Sequence, residues 1–318
     1  MTRIALDVHA HLIPILPGRL GTLPGVAWDG EARKLTLDDH AIGLAKLFDP
    51  DALIAWMDSH GVARAWVSVP PPAYRQHLDE AAARQWAAYL NDGLAEICAR
   101  HADRLAPLLH LPLEHPALAA EIAAAVQPGE GDACPAGFAA PSSAGSHVLS
   151  EADYGPLWQA LDASRAFVFL HPGDCCDERL EPFYLRNLLG NPYETAVAAS
   201  HLMFGGVLER HPGIRFCLAH GGGCLAAVAG RLQQGADTRR PGLPQAMPAP
   251  LALLRGFHAD CITHDVQMLE QAARLFGDEH LLFGSDWPFP MGLLEPGKQS
   301  TSWRPALRQA IFQARPKR

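Results

Sequence analysis

Residues 4–11 read Ile4-Ala5-Leu6-Asp7-Val8-His9-Ala10-His11, an almost continuous apolar run that ends on two histidines two positions apart. A short run of this kind is the pattern of a buried strand. Alternate residues of a strand point to the same side, so His9 and His11 aim at one point just beyond its end. Two imidazoles on one point are how many hydrolytic metal sites begin. The plain alternative is a pair of unrelated histidines at the edge of a core. Further ligands at other strand ends would decide between them.

The same kind of run recurs along the chain. Strand readings follow at Val62 to Val69, Leu105 to Leu109, Ala133 to Ala140, Ala166 to His171, Ile214 to His220, Phe257 to Ile262 and His280 to Ser285. Helical spacing fills the intervals: from Asp49-Pro50 to Gly61, over 77–101, Pro116 to Val126, Asp153 to Ala163, Pro192 to Arg210, from Gly221-Gly222-Gly223 through Arg231, and Asp265 to Phe276. Eight strands alternating with helices predict an α/β chain folded as one (β/α)8 TIM barrel over 1–318, rather than a doubly wound open sheet. The Gly- and Pro-spaced stretch over about 12–50 is expected to be an irregular, extended insertion between the first strand and first helix, arching over a site.

Composition narrows the class. The chain has 318 residues, 48% hydrophobic and 19% charged, which is ample for a core. A net charge of −8 argues against nucleic acid or an anionic membrane as the main partner. No uninterrupted run of roughly 18 apolar residues marks a membrane span, and the first residues lack the basic and apolar regions of a signal peptide. The seven cysteines form no CxxC pattern, which reads as reduced, mostly buried thiols in a cytoplasmic protein.

Four strand readings end in a potential ligand: His9 with His11, His171, His220 and Asp286. In a parallel barrel those ends share one face, so residues far apart in sequence converge by topology. Three or four imidazoles and one carboxylate suit Zn²⁺, with Mn²⁺ second, and leave a position for water or substrate. His264-Asp265 follows the seventh strand and reads either as pocket lining or as a helix-capping pair. Trp287 and Phe289 are expected to pack the site wall beside Asp286, and Asp7 to anchor the barrel.

The order HxH, Phe169-Leu170-His171-Pro172, Ala219-His220-Gly221-Gly222-Gly223 and Phe283-Gly284-Ser285-Asp286-Trp287-Pro288-Phe289 resembles the amidohydrolase superfamily. The likeness is nearest to its branch of 2-amino-3-carboxymuconate-6-semialdehyde and related aromatic-acid decarboxylases, and is densest from Gly190 to Lys298. The resemblance implies a mononuclear zinc-type site with His9, His11, His171 and Asp286 as ligands. It implies His220 as the acid/base residue that handles a metal-bound water, whose pKa such an ion lowers towards ~7. It implies a carboxy-lyase acting on a small unsaturated or aromatic carboxylic acid, and a homodimer. Arg231 matches an arginine that reaches the neighbouring subunit's site and holds a substrate carboxylate; its plain reading is a helix-surface arginine. Two departures concern substrate. Asp39-His40-Ala41-Ile42-Gly43-Leu44 lacks the arginine of the branch's first insertion, and Phe183 or Tyr184 stands where the branch has a tryptophan. The ending Arg315-Pro316-Lys317-Arg318 predicts a short or unusual eighth helix. One ion and one histidine serve lyase and hydrolase chemistry alike, so a hydrolase of an amide, ester or lactone is the second reading.

Overall fold

The computed structural model describes residues 3–126, 135–145, 147–175 and 177–316. The described residues form eleven strands: β1 (Asp7–His11), β2 (Val26–Asp29), β3 (Lys34–Leu37), β4 (His40–Ile42), β5 (Ala65–Ser68), β6 (Leu105–His110), β7 (Gly137–Pro141), β8 (Phe167–His171), β9 (Arg215–Leu218), β10 (His258–Asp260) and β11 (Leu281–Leu282). Eight of them make one parallel sheet in the order β1-β5-β6-β7-β8-β9-β10-β11, with helices between, which is the expected (β/α)8 barrel. The expected start of the fourth barrel strand at Ala133 and the thiols of Cys134 and Cys176 lie outside the described residues.

Side-chain alternation divides the interior in two. Val168, Leu170, Phe216 and Leu218 join Trp86, Leu90, Leu157 and Leu202 of the helices in one large core. Their strand neighbours Phe167, Phe169, Cys217 and Ala219 join Leu108, Ala139 and Leu282 in a second cluster without helix residues, which fills the barrel. The helices start and stop where local chemistry dictates. Over Pro50–His60, the Asp49 carboxylate accepts from Ala52 N, Pro50 opens the first turn, and Gly61 at φ 71° closes it. The expected single helix over Pro192–Arg210 is two, Asn191–Phe204 and Val207–Arg210, broken at Gly205-Gly206 where Gly206 takes φ 68°.

The insertion is more regular than the sequence reading held. β2, β3 and β4 form an antiparallel meander, with Leu35 and Leu37 buried. Its strands are too short for periodicity to separate them from loop. Arg75 ties it to the barrel: its guanidinium donates twice to Asp38 and once to Pro24 O, and lies over the Trp86 ring. The eighth helix is an ordinary one over Pro305–Gln313, with Leu307 and Ile311 buried.

Closure of the barrel is what builds the site. β11 is only two residues long, but the chain beyond it runs along β1. Val8 N donates to Phe283 O (2.9 Å), Asp286 N to His9 O (2.7 Å) and His11 N to Trp287 O (2.8 Å). Backbone bonds therefore set Asp286 beside both histidines. Asp7 anchors this seam as expected, accepting from His9 N and Ser285 N at 3.0 Å each.

Candidate metal centre

All five residues singled out at strand ends meet at the C-terminal face of the barrel. His9, His171, His220 and Asp286 each offer a donor atom, and these lie within 4.8 Å of one another. His11 joins through Nε2, which is 3.0 Å from His9 Nε2 and 3.3 Å from Asp286 Oδ1. His9 Nε2 is also 3.3 Å from Asp286 Oδ1, and His220 Nε2 is 4.0 Å from Asp286 Oδ2.

The tautomers follow from the partners of the other ring nitrogens. His171 Nδ1 faces the Pro172 carbonyl at 2.9 Å and must donate to it. His9 Nδ1 donates to Asp260 Oδ2 at 2.7 Å, and His11 Nδ1 pairs with Ser68 Oγ at 3.2 Å. Nε2 of His9 and Nε2 of His171 are thereby left facing inward, with His11 Nε2 beside them. His171 Nε2 is buried without a hydrogen-bond partner. Nε2 of His9, Nε2 of His11 and Asp286 Oδ1 lie about 3 Å apart, so either a proton or a cation must sit among them. The donor set thus fits a divalent ion held by nitrogen and oxygen ligands.

Without an ion, a proton on His9 takes that place. Burial would deprotonate His9, but the Asp286 charge and the hydrogen bonds to Asp260 and Asp286 outweigh it and raise its pKa to about 10. The field at His9 is one that attracts a cation. Burial opposes ionisation of Asp286, yet His9 and His11 hold its pKa well below the usual carboxylate range. Burial, and then the neighbouring histidines, lower His171 and His220, so both stay neutral donors.

Two cavities open onto this centre, of about 390 and 360 Å³. The first is lined by His171, His220 and Asp286 with Tyr184, Arg186 and Phe289; the second by His220 and Asp286 with Cys224, His264, Met268 and Met291. His220, with 19% of its side chain exposed, is the most accessible of the five.

The remaining sequence candidates divide. Tyr184 lines the first cavity and His264 the second, while Asp265 caps the helix Val266–Phe276 by accepting from Gln267 N and Met268 N. Both readings of that pair therefore hold. Phe183 is 86% exposed and lines neither cavity. Trp287 is buried in the large core rather than in the cavity wall, where Phe289 lies with an edge-to-face contact to His11. Arg231 is exposed on the helix Leu225–Asp237 and lines neither cavity of its own chain. Sequence reasoning missed Asp260 and Arg186. Asp260 is an acid inside a short apolar strand, a signal that was there to read. Arg186, paired with Asp174 and Glu181, comes from an irregular segment without a pattern.

The family profile described as Amidohydrolase matches residues 6–314. A 2-amino-3-carboxymuconate-6-semialdehyde decarboxylase of Dictyostelium discoideum is 27% identical, over 93% of this chain and 84% of its own. A solved 2,6-dihydroxybenzoate decarboxylase, complexed with 2,6-dihydroxybenzoate, superposes with a TM-score of 0.75 at 26% identity, covering 98% of this chain and 97% of that one. A dihydroxybenzoic acid decarboxylase from Polaromonas sp. JS666, with bound manganese and 2-nitroresorcinol, shares the fold with a TM-score of 0.75 at 24% identity, over 98% and 95% of the two chains.

Proposed function

Because this chain belongs to the amidohydrolase family, we propose that its barrel is a metal-dependent carboxy-lyase of a small aromatic or unsaturated carboxylic acid. The observation that carries the reading is the convergence of inward-facing His9, His11, His171 and Asp286 donors under a cavity that His220 also lines. In this reading those four hold the ion, Zn²⁺ first and Mn²⁺ second, the latter supported by the manganese of the Polaromonas structure. The bound ion would supply Lewis acidity towards substrate oxygens.

The chain's own residues account for the rest. The cavity of about 390 Å³ takes one ring, packed on Phe289 and Met291. As the bond from ring carbon to carboxylate breaks, the electron pair stays on carbon and CO₂ leaves. His220 delivers a proton to that carbon through Nε2. Held neutral at rest by burial, it first takes the proton from substrate or solvent. The hydrolase reading has no observation of its own in its favour.

A homodimer is part of this proposal. Phe183, Tyr184, Leu188, Leu189 and Tyr193 are exposed apolar side chains within one stretch beside the site mouth, a surface that a second copy would cover. Arg231, exposed and outside its own chain's cavities, is then free to serve the partner's site. The single domain over 1–318, with its insertion beside the mouth, and a cytoplasmic location belong to the same reading. The buried thiols of Cys98, Cys217 and Cys261 suit a reducing compartment.

The test is turnover of aromatic carboxylic acids, 2,6-dihydroxybenzoate included, beside a panel of lactones, esters and amides. Loss of acid with release of CO₂, abolished by chelation and restored by Zn²⁺ or Mn²⁺, supports the reading. Conversion of the neutral panel alone would replace it with the hydrolase.

A further inference from the structure

Asp260 is neither in the proposed ligand set nor in the proton transfer, yet both sides of the site hang on it. It ends β10 fully buried and accepts four hydrogen bonds. Oδ2 takes His9 Nδ1 at 2.7 Å and His220 N at 3.0 Å; Oδ1 takes Gly221 N at 2.9 Å and Ile262 N at 3.0 Å. A carboxylate has about four lone-pair sites, so this one is filled. The turn it holds is an unusual one, with His220 at φ 54° and Gly221, Gly222 and Gly223 at 63°, 79° and 63°. A histidine in the left-handed region persists only where its surroundings fix it. The close approach is also built in from the other side. A Cβ on Gly284 would lie 2.9 Å from the Cβ atoms of both Asp260 and His9, so only glycine lets the two meet.

We propose that Asp260 is a positioning residue that couples metal binding to proton delivery. One of its oxygens fixes the tautomer and ring direction of His9, and the same carboxylate holds the turn that aims His220 at the same point. The inference rests on the metal reading above. Carboxylates that orient a metal-bound imidazole raise its basicity and metal affinity; here the backbone of the acid/base residue is attached to the same group. An amide at 260 has one acceptor oxygen and an NH₂, so it cannot satisfy all four donors.

The experiment measures Zn²⁺ affinity by chelator competition for wild type, Asp260→Asn and Asp260→Glu, with nitrogen-15 histidine NMR of the Zn²⁺-loaded proteins. Asp260→Asn should bind Zn²⁺ about 10–100-fold more weakly. It should also lack the strongly deshielded Nδ1–H proton expected of wild type and not of His9→Gln. Asp260→Glu should recover part of both. At saturating Zn²⁺, kcat of Asp260→Asn on an acid that wild type converts should fall while KM stays. Wild-type affinity with the His9 signal in place in Asp260→Asn overturns the proposal. So does the absence of that proton from Zn²⁺-loaded wild type, a result that stands even if Asp260→Asn does not fold. Failure of wild type to bind Zn²⁺ or Mn²⁺ contradicts the metal reading instead.

Discussion

His171 and His220 end neighbouring strand runs, yet their surroundings give them different work. His171 is 3% exposed with an unpartnered Nε2, whereas His220 faces both cavities. Replacing His171 with Ala is expected to remove the metal, read by elemental analysis after desalting, with far-ultraviolet circular dichroism unchanged. Replacing His220 with Asn is expected to leave metal content intact and lower kcat by about 10²–10⁴-fold, the usual weight of a general acid. If His220→Asn instead loses the ion, His220 is a ligand and the division of roles is wrong. At this scale the sequence was informative because histidines and an aspartate at the ends of apolar strands stand out against their neighbours. Asp260 stood out as an acid in a short strand, but its role could not be read there, because it comes from hydrogen bonds to His9 and His220, 251 and 40 positions away. Trp287 was misplaced because a large aromatic next to a ligand fits core and cavity wall equally well by sequence.

Elements show where pH and local anchoring act. His110 ends β6 with 1% exposure, stacked on Tyr74, and its Nδ1 has no hydrogen-bond partner. Burial lowers its pKa from the ordinary 6.5 to about 4. The unfolded chain therefore binds this proton at higher pH than the fold does, so its contribution is present above pH 6.5 and is lost as pH falls through 4. The full swing is roughly 3 kcal/mol. His258, lowered to about 4 by burial and by His280, acts with the same sign. Urea unfolding should show stability dropping between pH 6.5 and 4, and less steeply in His110→Asn; an equal slope in the variant would clear His110 of the effect. The meander is the other case. Arg75→Ala removes both bonds to Asp38 and the Pro24 contact, and should cost about 1–3 kcal/mol while opening residues 21–46 to limited proteolysis. Unchanged cleavage there would mean that Leu35 and Leu37 hold the meander without the clamp. Its existence was not legible because strands of three and four residues carry too little alternation to separate them from loop. The barrel strands were legible because their runs are mostly apolar and mostly buried, on both faces.

For the whole molecule, the barrel's parallel topology turns five separated residues into one centre, and its closure along β1 sets Asp286 there. The exposed apolar stretch and Arg231 extend the account to two copies. Sedimentation should show a dimer, and Leu189→Glu should dissociate it. In the dimer, Arg231→Ala should raise KM for the acid at least several-fold; unchanged binding would return Arg231 to the helix surface. Above these stands the claim that the centre breaks a carbon–carbon bond. Its most direct measurement uses Zn²⁺- or Mn²⁺-loaded protein and a panel of aromatic acids labelled with carbon-13 in the carboxylate, with the gas phase read by mass spectrometry. The account predicts labelled CO₂ in step with loss of one acid, absent from His220→Asn and from chelated enzyme. Consumption of an acid with its label retained in solution, as the carboxylate of a product, would contradict it.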